Sequence, residues 1–253
     1  MVKLPPKLQK YFPLLLIVVV LGILTGVVLL IRSRNTSPTG TTETGGAVEL
    51  ALKDRPIAAL TPSADGHWLT LSVDKITIKA ETMDYELLYQ LPDGRTQGVP
   101  GSVEIKGEKS FKTEPLLLGS ESSGKYRYDE GVEEGSLTLR FRDAKGKLLT
   151  KFSTKFRLQS GVKELTSVEG GFSYTFAKVA KDFFVTMQTF GIPADAPGET
   201  AEGPFGVYSS ATSVTPGTVK LEGASIYRAE GAKWEKLEGG ASPNIGIFVS
   251  TKE

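Results

Sequence analysis

Two hydrophobic patterns divide this chain. From Phe12 to Ile31 the run FPLLLIVVVLGILTGVVLLI is apolar on every face and carries no charge, whereas beyond Ala47 apolar residues recur at every second position. Residues 12–31, at about 1.5 Å rise each, span roughly 30 Å, the thickness of a bilayer's hydrocarbon core, and so predict a transmembrane helix. The second pattern predicts strands. Val48/Leu50/Leu52, Leu69/Leu71/Val73, Ile76/Ile78, Leu137/Leu139/Phe141 and Phe152/Phe156 each keep to one face of a period-two backbone. Turn chemistry separates them at Ala64-Asp65-Gly66, Pro92-Asp93-Gly94, Lys106-Gly107-Glu108 and Asp143-Ala144-Lys145-Gly146. No segment of 47–161 keeps a helical period, which predicts an antiparallel β-sandwich there.

A second unit is expected over 162–253, after Gln159-Ser160-Gly161, again as a β-sandwich. Strands are predicted at Phe172–Phe176, Phe183–Phe190, Phe205–Val214 and Thr218–Arg228, with Phe183, Val185 and Met187 on one face. The intervening loop, Gly191 to Pro204, is long and rich in Pro and Gly, a composition and length common in functional or mobile loops. The expected fold class is therefore an all-β ectodomain of two tandem antiparallel sandwiches, the first immunoglobulin-like, behind one N-terminal membrane helix.

The segment before the strands sets the topology. Lys3, Lys7 and Lys10 before an apolar run also fit a secretory signal peptide, but this run exceeds the usual apolar core and is followed by Arg32-Ser33-Arg34 rather than a small-x-small cleavage site. An uncleaved anchor is the favoured reading. Three lysines and the amino terminus on one side, against Arg32 and Arg34 on the other, favour a cytoplasmic tail of residues 1–11 and extracytoplasmic C-terminal domains. Gly22 and Gly26 form a small-xxx-small pair that could pack two such helices into a homodimer, although glycine is common in membrane helices without that role. Residues 32–46 contain NTSPTGTTETGG, which has nothing to bury and reads as a flexible tether.

Charge narrows the partners. Residues 1–34 hold five of the 30 Lys and Arg and no Asp or Glu, leaving 25 basic against 29 acidic residues, a net of −4, for the remainder. A mildly acidic body lacks the concentrated basic face that nucleic acid requires.

The segments Ser136–Leu158, SLTLRFRDAKGKLLTKFSTKFRL, and Tyr85–Gly94, YELLYQLPDG, resemble the last hairpin and the central strand of bacterial immunoglobulin-like and fibronectin-III-like modules. IYRAEGAKWEKL (226–237) and IGIFVS (245–250) resemble the closing hairpin and last strand of bacterial surface β-sandwiches. The resemblance implies a fold and a surface setting and carries over no functional residue.

Candidate chemistry is sparse. With Cys 0 there is no thiol nucleophile, cysteine zinc site or disulfide, a composition that suits a bacterial or archaeal envelope protein. The single histidine, His67, precludes a multi-histidine metal cluster, and no G-x-S-x-G elbow accompanies it. It reads as an ordinary residue at a strand start. Asp129, Glu130, Glu133 and Glu134 crowd one loop and are weak candidates for a calcium site, though without regular ligand spacing. Tyr126 and Tyr128 in Lys125-Tyr126-Arg127-Tyr128 are candidates for partner binding. Trp234 is expected to pack across its hairpin onto Tyr227 or to stack on a sugar, and Trp68 to lie in the core. The expected function is structural, adhesive or ligand-presenting at the cell envelope, toward a protein or glycan partner, with no catalytic residue and no cofactor. The alternatives are an envelope glycan hydrolase using loop carboxylates and a scaffold or accessory subunit of a membrane complex.

Overall fold

A computed structural model describes residues 50–252. The expected tail, membrane helix, Gly22/Gly26 pair and tether lie outside the described residues, and among these no helix is long and apolar enough to cross a membrane. The described chain is all-β, as the alternation predicts.

Its first half runs β1 (Ile57–Pro62), β2 (Trp68–Asp74), β3 (Thr82–Gln90), β4 (Thr96–Glu104), β5 (Phe111–Lys112), β6 (Leu116–Leu117), β7 (Gly119–Ser122), β8 (Lys125–Tyr128), β9 (Glu134–Arg142) and β10 (Leu148–Gln159). The two Asp-Gly turns behave as the sequence predicts. Asp143 Oδ1 accepts from the N–H groups of Lys145 and Lys147, both at 2.9 Å, and so closes the β9–β10 hairpin. Asp93 accepts from Arg95 N–H at 3.1 Å between β3 and β4. Two expected strand patterns are not seen as strands. Arg55 Nε donates to Leu50 O at 2.8 Å and Leu52–Asp54 curls into a 3-10 turn, so Leu50 and Leu52 lie in no strand, while Val48 of that pattern lies outside the described residues. Lys75 takes a positive φ of 55° and ends β2, so Ile76 and Ile78 lie in a loop with Ile76 still buried.

The second half continues through β11 (Val162–Thr166), β12 (Phe172–Ala180), β13 (Phe184–Gln188), β14 (Thr200–Ser209), β15 (Gly217–Leu221), β16 (Ser225–Glu230), β17 (Lys233–Leu237), β18 (Ala241–Ser242) and β19 (Ile247–Thr251). The single strand expected over Thr218–Arg228 is two, β15 and β16, which belong to different sheets.

One nine-stranded sheet, ordered β17-β16-β19-β14-β13-β10-β9-β3-β4, runs through both halves. The junction is the antiparallel pairing of β10 with β13 from Phe156↔Met187 to Gln159↔Phe184. Each half has its own core, and the two cores lie on opposite faces of this sheet. On one face Leu87, Leu137, Leu139, Phe141 and Phe156 pack against Leu60, Leu69 and Leu71 of the sheet containing β1 and β2. On the other, Phe184, Phe205 and Phe248 pack against Phe172, Tyr174 and Val219 of the β11-β12-β15-β18 sheet. Strand alternation makes β13 serve both. Val185 and Met187 enter the first core, with Phe183 packed against it as expected, while Phe184 enters the second. Such two-sided burial explains why four successive residues of β13, Phe184 to Met187, are buried instead of every second one.

The long loop after β13 is a packed cover. Ile192 and Val249 are buried, Lys75 Nζ donates to Ile192 O at 3.0 Å, Thr189 Oγ1 donates to Gly191 O at 2.8 Å, and the Trp234 indole N–H donates to Asp195 O at 2.8 Å. These bonds tie the loop to the end of β2 at one point and to β17 at another. On the outward face of the first half, Arg142–Asp84 (2.7 Å) and Arg140–Glu86 (2.9 Å) ion pairs cross from β9 to β3.

Candidate functional site

The turn between β1 and β2 is locked by its own polar residues. Ser63 Oγ donates to Asp65 Oδ1 at 2.5 Å, His67 N–H donates to the same oxygen at 3.1 Å, and Trp68 N–H donates to Ser63 Oγ at 3.0 Å. The Ser63 bond, with His67 N–H adding to it, holds the Asp65 carboxyl below the usual carboxylate range. Gly66, at φ 75°, sits against the Phe183 ring, where any Cβ would collide with it. The turn is thus fixed in shape, and it delivers His67 and Trp68 side by side at the start of β2.

A second element meets them there. β6 pairs with the start of β2 through Trp68↔Leu117, and Leu118 N–H donates to His67 O at 2.8 Å. The chain then rises into the β7–β8 hairpin, a separate two-stranded ribbon. Ser123 (φ 51°) and Gly124 (φ 74°) make the two left-handed residues that a tight hairpin turn of this twist requires. The base of the ribbon is held by Asp129, whose N–H donates to Leu118 O at 3.0 Å and whose Oδ2 accepts from the buried Tyr89 hydroxyl at 2.9 Å. Burial, followed by the Asp129 carboxylate, pushes the Tyr89 hydroxyl well above its ordinary pKa, so it remains a donor.

Alternation along β8 turns Tyr126 and Tyr128 to one side of the ribbon, and they meet the His67–Trp68 pair. The His67 and Tyr128 rings stack at 4.3 Å with an interplanar angle of 12°, and Tyr128 and Tyr126 lie near-parallel, 6.3 Å apart at 10°. Trp68 stands edge-on to both tyrosines at 73°, 5.3 Å from Tyr126 and 6.4 Å from Tyr128. The result is a row, His67–Tyr128–Tyr126, braced by Trp68. It is open to solvent: Tyr126 is 48% exposed and Tyr128 37%. Glu121 lies directly across from Tyr126 and Gly119 across from Tyr128. Gly119 is required there, because a Cβ would strike the Arg127 carbonyl oxygen, and its lack of a side chain leaves the Tyr128 side of the ribbon clear. Chemically, the surface offers flat apolar ring edges and faces, two phenolic hydroxyls and a carboxylate, a combination suited to binding an amphipathic ring or chain.

The structure therefore joins Tyr126 and Tyr128, both read from the sequence, to His67 and Trp68, which were not. His67 is not an isolated strand residue, and Trp68 is only half-buried, because the long-range pairing of β2 with β6 brings the hairpin over them. No local pattern announces that contact. The acidic candidates do not converge. Asp129 is engaged by Tyr89 and Glu134 by Arg157 at 3.4 Å, while Glu130 and Glu133 are exposed. Among the described residues no three His, Cys, Asp or Glu side chains are grouped to hold a metal ion. Trp234 lies across from Ala229, with Tyr227 across from Lys236, and its indole N–H is spent on the covering loop. The chain matches no family model, no curated protein and no solved structure.

Proposed function

We propose that the chain is a single-pass, N-terminally anchored envelope protein that holds one all-β body, its two halves joined by a shared sheet, outside the cytoplasm and binds a glycan there through the His67–Tyr128–Tyr126 row. Residues 12–31 would span the bilayer and residues 32–46 would give the body reach. The observation that carries the binding role is the exposed, near-parallel row of His67, Tyr128 and Tyr126 with Trp68 edge-on beside it. Single exposed aromatic residues need no explanation, but two rings of the β7–β8 ribbon gathered against two at the start of β2 form a surface with a use. Pyranose rings present flat C–H faces to aromatic rings and hydroxyls to phenols and carboxylates, which matches this surface with Glu121 beside it. A glycan-hydrolase reading is less well supported, since Asp129 and Glu134 are already held by Tyr89 and Arg157.

The test is affinity electrophoresis and tryptophan fluorescence of the full chain with cell-envelope polysaccharide. Trp234→Phe leaves Trp68 as the sole indole reporter. Aromatic contacts worth about 0.5–1.5 kcal/mol each predict that Tyr126→Ala with Tyr128→Ala weakens binding on the order of tenfold or more. Equal retention by parent and double variant would remove the site. Protease accessibility of residues 47–253 on intact cells, against a lysed control, tests the placement: protection that persists until lysis of the cytoplasmic membrane would refute it.

A further inference from the structure

The β7–β8 ribbon divides its charges between its two sides. Directly opposed residues of an antiparallel pair share one face. Glu121↔Tyr126 and Gly119↔Tyr128 therefore lie on the side of the rings, and Ser120↔Arg127 and Ser122↔Lys125 on the other. Within these two strands Glu121 is the one charged residue on the ring-bearing side, and both cations lie on the far side. Glu121 is exposed and takes part in no ion pair or hydrogen bond among the described residues. The neighbouring carboxylates are engaged, Asp129 by the Tyr89 hydroxyl and Asp65 by Ser63 Oγ and His67 N–H. Glu121 is the carboxylate left for a ligand.

The rings beside it favour the same sign of charge. Tyr126 is 48% exposed, and Trp68 meets it edge-on at 73° and 5.3 Å, so the two rings form a corner rather than a stack. Tyr128 lies between Tyr126 and His67 and keeps the imidazole at the other end of the row. Tryptophan and tyrosine faces attract cations through the ring quadrupole, most of all ammonium groups. An anionic ligand would meet both the ring faces and Glu121 with no cation on that side of the ribbon to offset them. Resting on the glycan reading above, we propose that the Tyr126–Trp68 corner with Glu121 is an ammonium subsite, and that the glycan bound is one bearing ammonium groups on its sugars. The positive group lies against the Tyr126 face beside the Glu121 carboxylate. The open side of Gly119, next to Tyr128, admits the following sugar of the chain.

The test uses three dextrans of equal length that carry trimethylammonium groups, no charge, or carboxymethyl groups. Each is titrated into the full chain bearing Trp234→Phe, in nonionic detergent, with Trp68 emission as the readout. At about 0.15 M salt, which screens distant charges, the trimethylammonium dextran should bind about tenfold tighter than the carboxymethyl one, with neutral dextran between them. Glu121→Gln should narrow that ratio about threefold and Glu121→Lys should reverse the order. Glu121 is exposed and unpaired, so neither change disturbs the fold. Tyr126→Ala with Tyr128→Ala should abolish the preference. Equal binding of all three dextrans, binding of none, or tighter binding of the carboxymethyl form would overturn the subsite. So would a preference that survives both the Glu121 and the tyrosine changes, as the 25 basic against 29 acidic residues of 35–253 would produce without any site. Envelope polysaccharide separates this from the wider reading. Weaker retention of the double tyrosine variant than of the parent upholds glycan binding whatever the dextrans show, and equal retention removes both.

Discussion

Because β13 is buried on both faces, the two cores should unfold as one. Phe184→Ala removes a fully buried ring from the second core only, and Met187→Ala empties a site in the first. Large-to-small changes of these types cost about 3–5 and 2–5 kcal/mol. With a urea slope of about 2–3 kcal/mol per molar, a loss of 4 kcal/mol moves the midpoint by roughly 1.3–2 M. The two tryptophans provide local reporters, Trp68 in the first half and Trp234 in the second. In Trp234→Phe, emission follows the first half alone; in Trp68→Phe it follows the second. The expected result is a single transition in each background, displaced equally by Phe184→Ala whichever indole is watched. A Trp68 transition that stays in place while the Trp234 transition moves would refute the coupling and make the halves independent modules.

Other consequences are simpler to check. Asp143→Ala strips two N–H groups of their acceptor in the β9–β10 turn and should cost about 1 kcal/mol, read as a lowered thermal midpoint. Burial, against the opposing effects of Ser242 and Arg228, pushes the Tyr174 hydroxyl up to about 12 from 10.0, so its contribution to stability is complete below pH 10 and is lost as pH rises toward 12, at about 1.4 kcal/mol per pH unit. Absorbance of ionised tyrosine should accordingly show Tyr89 and Tyr174 titrating only with unfolding; their ionisation in the folded protein near pH 10 would contradict this. Burial pushes the Asp84 carboxyl up, but bonds from Arg142 and Ser102 more than offset it and hold the group below its ordinary range. That contribution is present at neutral pH and lost as pH falls through the lowered value, so Asp84→Asn should flatten the acid limb of the stability curve.

Much of the architecture was legible because strands and tight turns write themselves locally. Leu137/Leu139/Phe141 and the Asp143–Gly146 turn specify a hairpin without reference to the rest of the chain. Failures came where a distant partner decides. Leu50 and Leu52 alternate like strand residues, but Arg55 closes a turn onto the Leu50 carbonyl. The stretch 191–204 has the composition of a mobile segment, yet Thr200 onward belongs to β14, and Lys75 and Trp234, remote in sequence, hold carbonyl groups of the loop before it. At the candidate site the tyrosines were visible as a period-two aromatic pair. Their partners His67 and Trp68 were not, since only the pairing of β2 with β6 makes neighbours of residues some sixty positions apart, a separation that no local window spans.

The sheet that passes through both halves also limits how such a protein can be rebuilt. Gly161 turns the chain between β10 and β11 and looks like a natural place to cut. A fragment ending there would lose Val185 and Met187 from its core and leave the β10 edge bare, while the complementary fragment would carry those same side chains into water. Neither piece could be shuffled into another protein as a finished module. The two halves are thus bound to be inherited together, and any lengthening of this body by duplication would have to copy the whole of it rather than either part.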